Sequence, residues 1–231
     1  MPDHLKILIL ICLNLYLVAF VWIYFENTKI RGHTLIQANW FYIRQSIPMI
    51  HDYYMAEIGS ERKTGSTKAL GKLARKDCVY FDTVDIDSTA SLRAGITLHK
   101  LQFLAWSTKC MDGKEYIADQ APESIAVFYL DAVDLEEKHS QKWHYEISRD
   151  AINKIVPAGF MCFDDTWKYH GAWLGKGRIA VPFLLSQGWE IVSYVPRAVL
   201  LQKPTAFKLP KYSKWAFWLY YIKYRYIKKY L

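Results

Sequence analysis

The sequence predicts an α/β domain built on a mainly parallel sheet of seven strands, with helices on both faces. From residue 51 to about residue 204, short apolar runs alternate with segments of helical spacing. Strands separated by helices at this spacing imply βαβ units. The apolar runs are continuous, which is typical of parallel strands that are buried on both faces. Four of these runs end in acidic residues.

The elements follow one another in a regular order along the chain. The predicted strands are YYMAEIG, CVYFDTVDID, LQFLAW, SIAVFYLDAVD, FMCFDD, WEIVSYV and RAVLLQK. The predicted helices between them are STKALGKLARK, ASLRAGITLHK, KEYIADQ, HYEISRDAINKIV and GRIAVPFLLSQG. The last two strands are joined around Pro196, so we expect an antiparallel C-terminal hairpin at one edge of the sheet. A helix that breaks near Pro48 leads into the domain.

The N-terminal residues predict a membrane anchor. Residues 7–25 form an apolar run about as long as a helix needs to cross a bilayer. The run ends in WIYFENTK, which offers no small-residue cleavage site of the kind found in signal peptides. Lys29, Arg31 and Arg44 follow it, and only one lysine precedes it, so the positive-inside bias places the main domain in the cytoplasm. The prediction is a single-pass membrane protein.

The basic charge of the chain resides in its C-terminal tail. The formal net charge is +8, and the tail carries seven basic residues and no acidic one. Its aromatic and basic side chains suit either the headgroup region of a membrane or a helix packed on the domain. The rest of the chain is near neutral and has no nucleic-acid-reading motif, so no nucleic-acid partner is expected. The predicted organisation is an anchor (1–28), a lead-in helix (29–50), the main domain (51–204) and the tail (205–231).

The turn after the first strand indicates what kind of ligand the domain binds. Glu57 ends the strand, Gly59 follows, and Gly65-Ser66-Thr67 opens the next helix. A P-loop requires a lysine directly before the serine or threonine, and a dinucleotide fingerprint requires G-x-G-x-x-G. Neither pattern is present in this turn. An acidic residue before the turn repels a pyrophosphate and favours a cationic ligand.

These residues make the chain resemble the class I S-adenosylmethionine-dependent methyltransferases over roughly residues 50–203. Glu57-Ile58-Gly59-Ser60 with the following Gly65-Ser66-Thr67 looks like the first motif of that family, and FYLDAVD and VPAGFMCFDDTW look like its fourth and fifth strands. The resemblance implies a Rossmann-like fold and S-adenosylmethionine as the cofactor. It implies a cofactor site formed by Glu57, Gly59, Ser60, Gly65, Ser66, Thr67, Asp85, Asp87 and Asp131. Asp85 is the expected ligand of the ribose hydroxyls, with Asp87 as the alternative.

The acids after the fourth and fifth strands predict an acceptor site. In catechol-type O-methyltransferases, acids at similar positions hold a magnesium ion that orients a hydroxyl group. By this resemblance Asp131, Asp164 and Asp165 would bind Mg²⁺ or Ca²⁺, both of which prefer oxygen ligands. The alternative is that these acids cap helices or bind a polar substrate without a metal.

The residues beside these acids suggest how the acceptor is handled. His144 is the preferred general base, with His139 as the second choice, and Asp131 is the other predicted catalytic residue. Lys176 is expected either to contact an anionic substrate or to form a flexible turn. Aromatic residues nearby form either a substrate lid or part of the core; they are Trp167, Tyr169 and Trp173. The expected acceptor is a small molecule, a glycan or a lipid-linked compound at the bilayer.

Two other classes of protein compete with this interpretation. Asp85-Ile86-Asp87 is a D-x-D triplet of the kind that glycosyltransferases use to hold a metal and a nucleotide sugar, and these enzymes often have an N-terminal anchor. Alternatively, the turn after the first strand has fewer glycines than is usual in the methyltransferase family, which suits a methyltransferase fold that has become an inactive scaffold. Binding of S-adenosylmethionine separates the first class from methyltransferases, and binding without turnover identifies the second.

Overall fold

The computed structural model describes residues 30–60, 65–135 and 137–205, together with Ile9 and Cys12. The predicted anchor and tail therefore lie almost wholly outside the described residues. The same is true of residues 61–64 in the turn after the first strand.

The described chain alternates strands and helices in the predicted manner. The helices are α1 (Gly32–Ser46), α2 (Ser66–Asp77), α3 (Ser88–Lys100), α4 (Gly113–Asp119), α5 (Ser140–Ala151) and α6 (Ala180–Ser186). The strands are β1 (Tyr54–Ile58), β2 (Tyr80–Asp85), β3 (Trp106–Cys110), β4 (Ile125–Leu130), β5 (Ile155–Asp164), β6 (Thr166–Tyr169), β7 (Ala172–Gly175), β8 (Glu190–Val195) and β9 (Ala198–Gln202). A single 3-10 turn, Ile50–Asp52, joins α1 to β1.

Seven strands form one sheet in the order β3-β2-β1-β4-β5-β9-β8. The first five are parallel to their neighbours, while β9 runs antiparallel to both β5 and β8. The predicted mainly parallel sheet with an antiparallel C-terminal hairpin is thus confirmed. β9 enters between β5 and β8, so β8 is the edge strand.

The helices bury the sheet from both sides. Helices α1, α2 and α3 pack their apolar side chains on one face, and α4, α5 and α6 pack on the other. Side chains of β4 alternate between the two clusters, with Tyr129 in the first and Phe128 in the second. Every residue of β4 is buried, which explains why this strand reads as a continuous apolar run.

Three local features differ from the sequence prediction. β3 begins at Trp106, at the end of the apolar run that was predicted to be the strand. β5 begins at Ile155, five residues before the predicted strand FMCFDD, and runs through Pro157-Ala158-Gly159, where the register against β4 shifts. The small antiparallel sheet of β6 and β7 was not predicted as strands.

The predicted single-pass membrane location is wrong. Among the described residues, no helix has both the length and the apolar character that crossing a bilayer requires. The predicted anchor over residues 7–25 itself lies outside the described residues, apart from the helical positions Ile9 and Cys12.

Candidate functional site

The candidate site lies at the carboxyl edge of the parallel strands. Ile58 at the end of β1 pairs with Val84 of β2 and with Leu130 of β4, and Leu130 pairs with Phe163 of β5. The loops after these strands therefore meet at one place, and they carry most of the predicted site residues. Open α/β sheets bind their ligands at this edge.

Glu57 is an acid that the fold buries completely at the end of β1. The hydroxyl groups of Thr67 and Thr83 donate to its Oε2 at 2.6 and 2.7 Å. Burial raises the pKa of Glu57 to about 7, and hydroxyl groups around it only partly offset this effect. Its other oxygen, Oε1, is buried and has no hydrogen-bond partner among the described residues. Such an atom is costly unless a ligand or water satisfies it.

Gly59 brings the backbone of the first turn against the loop after β4. Its φ of +92° lies in the left-handed region, and its N–H donates to Val84 O at 2.8 Å. A Cβ at this position would lie 2.5 Å from the carbonyl carbon and oxygen of Asp131. A glycine is therefore required for this close approach.

The start of α2 completes the loop between β1 and α2. Gly65 precedes the helix with a φ of +75°, and Ser66 and Thr67 are buried in its first turn. Because the Thr67 hydroxyl donates to Glu57, this residue supports the buried acid. Direct contact of Gly65, Ser66 or Thr67 with a cofactor stays a prediction.

Asp85 and Asp87 have different surroundings, although only one residue separates them. Asp85 is buried at the end of β2, where its two oxygens accept from the backbone N–H groups of Ser60 and Asp87, both at 2.9 Å. Each carboxylate oxygen has a second lone pair, so Asp85 can still accept from a diol. Asp87 is exposed and caps α3 by accepting from Thr89 N at 2.8 Å.

The three acids of the predicted metal site come together, but basic side chains of the same chain accompany them. One ligand oxygen of each of Asp131, Asp164 and Asp165 lies within 4.8 Å of the others. Arg31 donates to the buried Asp164 through Nε at 2.7 Å, and Lys176 Nζ lies 2.8 Å from Asp131 Oδ1. Arg197 pairs with Asp165. Three acids and three bases form one ion-pair cluster.

These pairings leave the cluster a poor fit for a divalent cation. Both oxygens of Asp164 are already engaged, because Gly32 N donates to Oδ1 at 2.8 Å and Arg31 binds Oδ2. Although burial acts in the opposite direction, Arg197 and Arg31 hold the pKa of Asp165 below its ordinary value. A Mg²⁺ ion would have to displace two bound cations, so the predicted metal is not supported.

The Arg31→Gln substitution is expected to lower the free energy of unfolding by about 3–5 kcal/mol, because it leaves Asp164 buried without its ionic partner. Burial and Asp131 raise the pKa of Asp164 to about 7 even with Arg31 in place. A buried acid with a raised pKa makes the folded state less stable as the pH rises and the acid ionises. The loss of stability caused by Arg31→Gln should therefore be larger at pH 8 than at pH 5. Urea unfolding at both pH values measures it.

Arg197→Gln is the matched control for that substitution. Arg197 also binds this acid cluster, but 44% of its side chain is exposed. An exposed ion pair contributes about 0–1 kcal/mol. Equal losses in the two variants would contradict the assignment of Arg31 as the buried partner.

His144 lies inside α5 rather than on the rim of the site. Its Nδ1 is 2.7 Å from Ser140 O, and its Nε2 is buried without a hydrogen-bond partner among the described residues. Burial lowers the pKa of His144 to about 4, so the ring is neutral at pH 7. Its role as a general base stays a prediction. His139 lies just before the same helix and is exposed.

Buried polar atoms without partners concentrate around this edge. Four such side-chain atoms occur in the described residues, and two of them belong to Glu57 and His144. A third is Nδ1 of His33, in the first turn of α1. Burial lowers the pKa of His33 to about 4, with Asp131 acting in the opposite direction. Buried polar atoms of this kind are normally satisfied by a ligand or an ordered water, so these atoms are candidate contacts for a ligand.

The three aromatic residues of the predicted lid lie on the β6–β7 hairpin. Trp173 is buried in the core, which was the alternative to a position in a substrate lid. Lys168 Nζ lies 5.7 Å from the centre of its ring. Tyr169 is exposed beside His170 at the tip of the hairpin. Lys176 follows the hairpin and is nearly buried, so it is a component of the ion-pair cluster rather than a flexible turn.

Arg31 was not predicted as a site residue. In the sequence it is only a charge that flanks the apolar run, but its side chain reaches acids more than 130 positions away in the chain. His33 was missed for the same reason. A histidine and an arginine at the start of a predicted helix carry no local signal of such a contact.

The fold, but not the sequence, matches known proteins. No protein-family model and no curated protein matches the sequence. A protein from Corynebacterium glutamicum has a TM-score of 0.55 at 10% identity, over 76% of this chain and 81% of that chain. A probable spermidine synthase from the same organism has a TM-score of 0.54 at 10% identity, over 76% of this chain and 64% of that chain. NSun6 from Pyrococcus horikoshii, solved with SFG, has a TM-score of 0.52 at 13% identity, over 71% of this chain and 50% of that chain.

These similarities define the class of fold. The chain has a Rossmann-like fold, and this confirms the fold that the resemblance to the class I S-adenosylmethionine-dependent methyltransferases implied. At 10–13% identity the likeness establishes the fold alone. The chain spans half the length of NSun6 and just under two thirds of the spermidine synthase.

Proposed function

We propose that the protein is an S-adenosylmethionine-dependent methyltransferase that acts on an acceptor hydroxyl group. The observation that carries the proposal is the buried carboxylate of Glu57, whose Oε1 has no partner among the described residues. S-adenosylmethionine bears an ammonium and a sulfonium group, and a buried carboxylate favours a cation strongly. A pyrophosphate ligand has the opposite charge and does not suit this position.

The residues at the carboxyl edge fit such a cofactor. Glu57 would accept a hydrogen bond from the cofactor ammonium, and Asp85 would accept from the ribose hydroxyls through its remaining lone pairs. Gly59 lets the turn after β1 pack closely against the loop that carries Asp131. Asp131 follows β4 at the same edge. When bound, the cofactor supplies a methyl group that its sulfonium already activates.

The protein then needs to orient the acceptor and remove its proton. Asp131 and His144 are the proposed residues for this task. The proposed acceptor is a small molecule, a glycan or a lipid-linked compound that carries a hydroxyl group.

Ligand-induced stabilisation tests the proposed cofactor. S-adenosylmethionine at about 100 times its Kd should add about 2.7 kcal/mol to the free energy of unfolding, a rise in Tm of roughly 5–10 °C. NAD⁺ and UDP-glucose with Mn²⁺ should give no rise. Stabilisation by UDP-glucose but not by S-adenosylmethionine would contradict the proposal and favour a glycosyltransferase.

The matched variants Asp85→Asn and Asp87→Asn decide which acid binds the ribose. We expect Asp85→Asn to lose most of the cofactor-induced rise in Tm, because the buried carboxylate faces the first turn through Ser60. Asp87→Asn should keep it, because Asp87 is exposed and caps α3. The reverse result would assign the ribose to Asp87.

Cofactor affinity should depend on pH because of Glu57. Its pKa of about 7 means that the acid is largely protonated at pH 6, and a cationic ligand binds the ionised form. Affinity should therefore fall as the pH falls below 7, by up to tenfold per pH unit, and level off above pH 7. Calorimetric titrations between pH 5.5 and 8.5 measure this. An identical slope in Glu57→Gln would assign the effect to another group, such as Asp164.

The inactive scaffold remains the second candidate function. The extensive ion pairing around Asp131 and Asp165 is the observation that favours it, because these acids are already neutralised by side chains of the protein. Tight cofactor binding without methyl transfer to any tested acceptor would support the scaffold. The D-x-D alternative is weakened because Asp85 and Asp87 accept separate backbone hydrogen bonds.

A further inference from the structure

Three carboxylates at the ends of β4 and β5 have the spacing of a divalent-cation site. One oxygen each from Asp131, Asp164 and Asp165 fits within 4.8 Å. Carboxylates grouped in this way are the preferred ligands of Mg²⁺, Mn²⁺ and Ca²⁺. What distinguishes this cluster is the identity of the cations that lie among the acids.

Arg31 and Lys176 supply those cations. Arg31 Nη2 lies 2.6 Å from Asp164 Oδ2, 3.3 Å from Asp165 Oδ2 and 3.9 Å from Asp131 Oδ2, so one nitrogen is close to all three acids. Lys176 Nζ lies 2.8 Å from Asp131 Oδ1 and 3.7 Å from Asp165 Oδ2. Lys176 is nearly buried. The two basic groups thus occupy the region where a metal ion would have to bind.

The backbone fixes both basic residues beside the same acids. The N–H of Lys176 donates to Asp165 O at 3.0 Å, which closes the base of the β6–β7 hairpin. The N–H of Gly32, next to Arg31, donates to Asp164 Oδ1 at 2.8 Å. Lys176 is therefore held by its own main chain and Arg31 by that of its neighbour Gly32, so the ion pairs are built into the fold.

We propose that Arg31 and Lys176 replace a divalent metal ion, so that they position Asp131, Asp164 and Asp165 and the site works without a metal. With Arg197, the three basic groups balance the charge of the three acids. A metal-dependent site would leave its carboxylates free to bind the ion. The metal-binding part of this inference does not depend on cofactor binding, whereas the metal-free reaction rests on the proposed function.

Binding of Mn²⁺ to the full chain, followed by electron paramagnetic resonance, tests the inference. The wild-type protein should leave the signal of free Mn²⁺ unchanged up to about 1 mM. Lys176→Gln leaves Asp131 and Asp165 without this cation, and it should bind one Mn²⁺ at least tenfold more tightly than the wild type. Adding Asp131→Asn to that variant should abolish the gain. Lys168→Gln, on the same hairpin but outside the cluster, should behave as the wild type.

Two results would overturn the inference. One is stoichiometric Mn²⁺ binding by the wild type that Asp131→Asn abolishes, a measurement that does not require Lys176→Gln to fold. The other is a folded Lys176→Gln, judged by circular dichroism, that gains no Mn²⁺ binding. The Tm of the same samples with S-adenosylmethionine separates the two proposals, since failure of the cofactor to stabilise the wild type would refute the function and leave the metal replacement standing.

Discussion

Gly59→Ala is expected to lower the free energy of unfolding by about 3–5 kcal/mol and to abolish cofactor binding. The new Cβ would lie 2.5 Å from the carbonyl carbon and oxygen of Asp131 and 2.6 Å from Ala132 N. These are main-chain atoms, so no side-chain rotation can relieve the clash. The turn after β1 must then separate from the loop after β4, and the site would open. Thermal unfolding measures the loss, which should lower the Tm by about 10 °C.

Gly171→Ala is the control for this substitution. Gly171 also has a left-handed φ, +84°, but a Cβ there would meet nothing within 4 Å. It therefore reports the backbone strain alone, which costs about 1 kcal/mol. Similar losses in both variants would mean that strain, and not the contact with Asp131, makes Gly59 necessary.

Glu57→Gln is expected to weaken S-adenosylmethionine binding by about 10- to 100-fold. Hydrogen bonds to charged groups contribute about 1.5–3 kcal/mol, and the amide removes that charge while keeping the shape of the side chain. Stability should not fall in parallel. Because burial raises the pKa of Glu57 above its value in the unfolded chain, the ionised acid destabilises the fold at pH 8. Calorimetry and urea unfolding at pH 8 measure the two effects separately.

Asp82→Asn provides the matched acid. Asp82 is also buried, but it lies within β2, where it accepts hydrogen bonds from the hydroxyl groups of Ser107 and Tyr116. It lies away from the end of the strand, so its loss should affect stability without weakening cofactor binding. An equal loss of affinity in both variants would contradict a specific role for Glu57.

The fold was predictable from the sequence because its signals are local. Apolar runs such as that of β4 report strands buried on both faces, and the acids that follow β1, β2, β4 and β5 mark one edge of the sheet. The β6–β7 hairpin, which was not predicted, turns over two residues. His170 and Gly171 both have positive φ between two short strands, the arrangement of a two-residue hairpin turn.

The ion-pair cluster was not predictable, because it depends on contacts between distant parts of the chain. The sequence places three acids near one another but does not show what neutralises them. Arg31 reaches them from the start of α1, and Lys176 is brought back by the β6–β7 hairpin. For this reason the three acids come together as predicted, but the predicted metal ion is not supported. Likewise, the protonation state of Glu57 depends on how deeply the fold buries its side chain, and no local sequence pattern reveals that depth.

Isothermal titration of the full chain with S-adenosylmethionine at pH 8 is the most direct test of cofactor binding through Glu57, because Glu57 is ionised there and Glu57→Gln can be titrated alongside. We expect one site with a micromolar Kd in the wild type and at least tenfold weaker binding in the variant. A folded wild-type protein that gives no binding heat with S-adenosylmethionine or S-adenosylhomocysteine would contradict it.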